Sequence, residues 1–114
     1  MATTRVGSTP GILYLHRGDA AWKGIDFGPL LVAGVVLSGT PTISILPATG
    51  LTASSVQRNS STFSDADAGV TAIVANEGVI AKFDPSAVGR YVVTATCDTD
   101  DDQTLAVDVT FVVK

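Results

Sequence analysis

The chain has 114 residues, enough for one domain core and too few for two. A hydrophobic fraction of 46%, carried by Val, Ala, Ile and Leu with one Trp, two Tyr and four Phe, excludes a disordered tail and favours pleated sheet over helix. The net charge is −4 and the seven Lys and Arg stand singly, so there is no basic stripe for nucleic acid.

Residues 1–10, rich in Thr, Ser, Gly and Pro, read as a flexible arm preceding one domain over 11–114. Gly11 to His16 and Trp22 to Phe27 read as two strands, with Arg17-Gly18-Asp19 between them. That tripeptide is the one integrins read, but Gly-Asp is also ordinary turn chemistry, and the turn is the preferred reading. Pro29 to Leu37 is apolar, yet far too short to span a bilayer, and Gly34 weakens it as a helix. Thr42 to Leu46 sends Ile43 and Ile45 to one side between Pro41 and Pro47, as a short edge strand does. After a turn at Ala48-Thr49-Gly50, Leu51 to Gln57 reads as the next strand.

Val70 to Ala75 and Val79 to Phe83 flank Asn76-Glu77-Gly78 and predict a hairpin with positive φ at Gly78. A short helix from Ser64, with Asp67 completing a capping box, competes for Asp65 to Ala75, but Gly69 and the β-branched residues after it weigh against that. The plainest signal is C-terminal. Tyr91, Val93, Ala95 and Cys97 share one face of a strand, and Leu105, Val107, Val109, Phe111 and Val113 share one face of another. Polar Asp98 to Gln103 joins them into an antiparallel hairpin. The whole predicts an all-β antiparallel sandwich of about seven short strands.

Asp84-Pro85-Ser86-Ala87-Val88-Gly89-Arg90-Tyr91, followed by Val-Val-Thr-Ala-Thr, resembles the E–F corner of bacterial and viral immunoglobulin-like domains of the cysteine-free variety. The resemblance gives Gly89 and Tyr91 the corner roles, with the tyrosine hydroxyl bonded to backbone. More broadly, Asp26-Phe27-Gly28-Pro29-Leu30-Leu31, Gly34, Leu37, Pro47 with Ala48-Thr49-Gly50-Leu51-Thr52 and the Val-rich last strand resemble small Ig-like accessory proteins of tailed-phage particles. The longer N-terminal part and the acidic hairpin loop depart from that pattern. The resemblance implies a non-enzymatic virion protein made in the bacterial cytoplasm. It would be a capsid decoration (cement) subunit present in many copies, binding the major capsid protein or other virion proteins, with no nucleic acid, membrane or cofactor. A tail or fiber adaptor is the near alternative. A bacterial Ig-like adhesive or carbohydrate-binding module is the more distant one.

Candidate contact residues are Trp22, Phe27, Leu30 and Leu31, although core is the better assignment for most of them. Asp98, Asp100, Asp101 and Asp102 supply hard oxygens for a weakly held cation. The EF-hand spacing fails, however, and a solvated, self-repelling tip is the plainer reading. Basic Arg5, His16, Arg17 and Lys23 lie far from this acidic loop in sequence, an asymmetry suited to head-to-tail contacts or simply to two solvated ends. Asn59-x-Ser61 is an N-glycosylation sequon, meaningful only in a eukaryotic secretory pathway. No apolar leader follows Arg5, and the single Cys97 reads as a buried small hydrophobe in a protein made under reducing conditions. One histidine, His16, and the absence of a Gly-x-Ser-x-Gly elbow or a phosphate-binding glycine loop give no catalytic residues and no metal ligands to nominate.

Overall fold

The structure is a computed structural model that describes residues 3–65 and 70–114, with side chains for 12–64 and 72–114. Nine strands follow one another: β1 (Thr3–Leu15), β2 (Ala21–Asp26), β3 (Leu37–Leu46), β4 (Leu51–Arg58), β5 (Phe63–Asp65), β6 (Val70–Ile73), β7 (Gly78–Pro85), β8 (Gly89–Thr99) and β9 (Gln103–Val113). A single 3-10 turn, Gly28–Leu30, is the helical element among the described residues. Seven strands form two sheets, ordered β1-β9-β8-β3 and β2-β7-β4, while β5 and β6 form a separate hairpin. Reading β2, β3, β4, β7, β8 and β9 as strands B to G, the sheets are B-E-D and C-F-G, the arrangement of an immunoglobulin-type sandwich. All ladders are antiparallel except that of β1 with β9.

The period-two faces of the C-terminal strands decide where the core sits. Tyr91 pairs with Phe111, Val93 with Val109, Ala95 with Val107 and Cys97 with Leu105, and all eight are buried. From the other sheet Ile25, Leu51, Val79, Ala81 and Phe83 face them. The Phe83 and Phe111 rings meet across the sandwich at 4.7 Å between centroids, tilted by 45°.

The expected corner geometry has a third member, Gly50. The Tyr91 hydroxyl donates to the Ala87 carbonyl at 2.9 Å, bridging the β7–β8 connection. Gly50, at φ 98°, lies against that hydroxyl, and its carbonyl accepts from the Ser86 and Ala87 amides at 2.8 and 3.2 Å. A side chain at position 50 would crowd both the hydroxyl and the Ala87 methyl, so a glycine is needed for space as well as for backbone. Tyr91→Phe should lose about 1 kcal/mol, because the exposed Ala87 segment lets water replace the lost bond. A urea titration with an unchanged m-value measures it.

Three sequence expectations need correction. Residues 3–10 are not a free arm: they form the first part of β1, and Thr3 to Ser8 pair in parallel with Gln103 to Asp108. The open edge of β9 captures a segment whose composition alone suggests a tail. The predicted hairpin of Val70–Ala75 with Val79–Phe83 does not form. β7 pairs with β2 on one edge and β4 on the other, which leaves β6 to pair with β5. In the connecting turn the left-handed residue is Asn76 (φ 64°), not Gly78. The competing capping box at Asp67 lies outside the described residues, and Phe63–Asp65 and Val70–Ile73 on either side are strand.

The β5–β6 hairpin is a third layer. It rests on the outer side of the β2-β7-β4 sheet at Gly24, where an added Cβ would come within 2.6 Å of the Phe63 ring and 2.8 Å of the Ile73 side chain. Glycine here makes room for a neighbouring element, the positional meaning that glycine often has inside a strand.

Candidate functional site

The β5–β6 hairpin rests on one sheet, and the outer face of the other carries exposed side chains. The strand period turns Arg90, Val92, Thr94 and Thr96 of β8 outward, opposite the core-facing Tyr91, Val93 and Ala95. Register then fixes their neighbours. Leu46 pairs with Val92, Val92 with Thr110 and Thr110 with Ile12, forming one row across all four strands. In the next row Arg90 pairs with Val112 and Val112 with Tyr14. Leu46 is 70% exposed, Tyr14 52% and Val92 42%, so three large apolar side chains stand open at one end of the face. Isolated exposed apolar residues are unremarkable in a folded protein, whereas an adjacent pair such as Leu46 and Val92, with Tyr14 two strands away, is a candidate contact surface. The Lys114 ammonium lies 4.6 Å from the centre of the Tyr14 ring and puts a cation at its border. Further along, Ser44, Thr94 and Thr96 make the face hydroxyl-rich, with the Thr94 hydroxyl donating to Asp108 at 2.6 Å.

The contact residues proposed from sequence are not brought together. Phe27 is fully buried and belongs to the core; Leu30 and Leu31 are half-buried against it. The cause is local. Asp26 accepts the Gly28 amide at 2.8 Å and turns the chain into the 3-10 segment, leaving Phe27 on the inward face next to Ile25. Trp22 alone keeps an open position, 41% exposed and opposite Lys82 on the outer side of the other sheet. Leu46 and Val92 are not among the contact residues proposed from sequence. One signal was present: Val92 is the only apolar residue heading the otherwise Thr-rich face of its strand.

The acidic loop does not form a chelate. Asp98 accepts the Thr104 hydroxyl at 2.7 Å, Asp100 accepts the Val36 amide at 3.2 Å, and Asp101 accepts the Thr99 hydroxyl. Three of the four carboxylates are thus spent on separate partners in and around the turn. Among the described residues no three His, Cys, Asp or Glu side chains are grouped to hold a metal ion.

Arg17-Gly18-Asp19 is an exposed turn with Gly18 at φ 84°, closed by the Asp19 amide on the His16 carbonyl at 3.0 Å. Cys97 is buried, with Sγ 3.4 Å from the Ser38 carbonyl, and burial pushes its thiol pKa up, which suppresses the reactive thiolate. Asn59, first residue of the sequon, is only 1% exposed. Its amide donates to the Ile73 and Val74 carbonyls at 3.0 and 2.9 Å, and its Oδ1 accepts the Gly78 amide at 2.9 Å. The nitrogen a glycan would need is therefore sealed inside the fold.

Two small recesses open on the surface of the described residues. One, of about 290 Å³, lies between the edge strands β3 and β4 and is lined by Gly39 to Pro41 and Val56 to Arg58, with Arg58 reaching the Leu37 carbonyl at 3.1 Å. The other, of about 250 Å³, lies at the seam of β1 and β2 among Tyr14, His16, Asp19 and Lys23.

No family model matches the chain, and neither does any curated protein.

Proposed function

We propose that the chain is a non-enzymatic structural protein of a phage particle, a capsid decoration subunit that lies on the shell through the outer face of its four-stranded sheet. The carrying observation is the exposed cross-strand pair of Leu46 and Val92, with exposed Tyr14 in the next row on β1, on the outer face of the four-stranded sheet. The Gly-x-Tyr corner and the Thr-Gly-Leu-Thr segment, which resemble small Ig-like virion proteins, support the same reading. Affinity would come from apolar burial at one end of the face and hydroxyl contacts along the rest, multiplied over many copies of a symmetric shell. The partner is then the major capsid protein or another virion protein, met after synthesis in the host cytoplasm.

Sedimentation of the purified chain with empty shells of the particle that carries it tests the proposal. Wild type should saturate a fixed number of sites per shell. Leu46→Thr with Val92→Thr should keep its melting curve, since both residues are exposed and threonine suits a strand, and lose binding by about 10-fold or more, on the scale of one or two buried aliphatic side chains. Undiminished binding by the variant would remove this face from the contact. Wild type found on tails and not on shells would make the chain an adaptor.

A further inference from the structure

Every sheet of this sandwich ends in an edge, and an edge is a template for a further strand. Three of the four carry devices that discourage one. β2 has the inward-pointing, buried Lys23. β3 has Pro41 inside a register shift between Ser38 and Thr42 and ends at Pro47. β4 has a register shift between Ser54 and Gln57, with Ser55 at φ 54°. The fourth edge strand is β1, and the strand it covers, β9, has no such device. It runs against β8 without a register shift from Thr104 to Val113, and its other edge is closed only because β1 lies on it.

β1 covers that edge in two unequal pieces. Ile12 to Leu15 pair with Thr110 to Val113, and Leu13 and Leu15 are seated in the core. Thr3 to Ser8 pair with Gln103 to Asp108, where the positions in register with the core residues Leu105 and Val107 are Arg5 and Gly7. This piece thus has backbone pairing but no apolar residue at its core-side positions. Between the pieces β1 has three residues, Thr9 to Gly11, where β9 has one, Val109, and Pro10 and Gly11 lie in that excess. Proline removes a ladder donor and glycine permits a sharp redirection, so the chain has a joint where it can leave the sheet.

We propose that the edge of β9 from Gln103 to Asp108 is a strand-acceptor site, filled either by the chain's own residues 3–8 or by the same segment of a second copy. The two arrangements make the same parallel ladder, so exchange costs little enthalpy and becomes favourable as local concentration rises, as on a surface that holds many copies side by side. The inference does not depend on what the other sheet face binds, and it can be tested without a shell.

Thr4 and Thr104 are register partners, at the ~4.8 Å spacing of adjacent strands, which a disulfide spans. In a Cys97→Ala background, Thr4→Cys and Thr104→Cys chains are purified separately, mixed at high concentration and oxidised with glutathione disulfide. A control pair replaces the Thr104 variant with Ser86→Cys, an exposed position outside the ladder. The expected result is a cross-linked heterodimer on a non-reducing gel, several-fold more abundant than in the control pair and rising with concentration. Heterodimer no more abundant than in the control, while a Thr4→Cys/Thr104→Cys double variant closes within one chain, would overturn the exchange. A double variant that also fails to close would overturn the ladder itself, and the acceptor site with it.

Discussion

Asn59→Ala is expected to lose about 3 kcal/mol or more of stability, although it removes only a small polar group. Three backbone groups depend on that amide: the carbonyls of Ile73 and Val74 and the N–H of Gly78. The bonds to Ile73 and Gly78 are buried, and a buried group left without a partner costs about 1–3 kcal/mol. The Asn59 main chain adds two further bonds to the same loop, from its amide to the Gly78 carbonyl at 3.1 Å and from the Asn76 amide to its own carbonyl at 2.7 Å. The side chain therefore holds one end of a clamp that fixes where β6 stops and β7 starts. Asn59→Asp separates donor from acceptor. It keeps the acceptor for Gly78 but sets a carboxylate against two carbonyls, so its folded-state pKa must lie above the unfolded value. The variant should then be least destabilised below about pH 4, lose stability as pH rises from there through the folded-state pKa, and level off above it. Urea melts of wild type, Ala and Asp variants across pH measure this. A flat difference between Asp and wild type would show that the site is open to water.

Phe111→Ala should cost about 3–5 kcal/mol, a large share of the 5–15 kcal/mol that a domain of this size commonly has. Phe111 is fully buried in β9 and reaches across to Phe83 of β7, so its ring is a principal contact between the two sheets. Because the backbone on both sides is locked in ladders, the space left behind cannot readily collapse. A double-mutant cycle with Phe83→Ala separates the ring pair from general burial. A coupling of about 0.5–1.5 kcal/mol is expected for tilted rings at this spacing. Strictly additive losses would mean that the rings act only as independent filler.

How far the fold could be read from sequence depended on whether the relevant partner was local. The β8–β9 hairpin was legible because each strand carries its own period-two face and a short polar turn joins them. The corner at Tyr91 was legible by resemblance, but the part played by Gly50 was not, since its contact with the hydroxyl forms only once β4 and β8 are brought together. Val70 to Ile73 reads as strand either way; what assigns it to β5 is that both edges of β7 are taken by strands distant in sequence. Asn59 shows the same limit in chemical form. Its amide suits a glycan acceptor and a backbone clamp equally well, and only burial separates them. Phe27 takes the core assignment rather than the contact one, as alternation from Ile25 favours. The exposed set of Leu46, Val92 and Tyr14 draws on three strands whose register no single stretch of sequence reveals.

The one parallel ladder also governs how the protein answers a pull. Thr3 pairs with Gln103 and Leu15 with Val113, so residue 3 and residue 113 stand at opposite ends of the same two neighbouring strands. Tension between them runs along the ladder, and its evenly spaced hydrogen bonds share the load and must slide past one another together. An antiparallel pair pulled from its open end would instead peel one bond at a time. The interruption between Ser8 and Ile12 divides this lock into an outer latch and an inner one, and the inner one is seated by Leu13 and Leu15. Endurance under load is then a rate, set by the barrier to that slide rather than by the equilibrium stability of the fold.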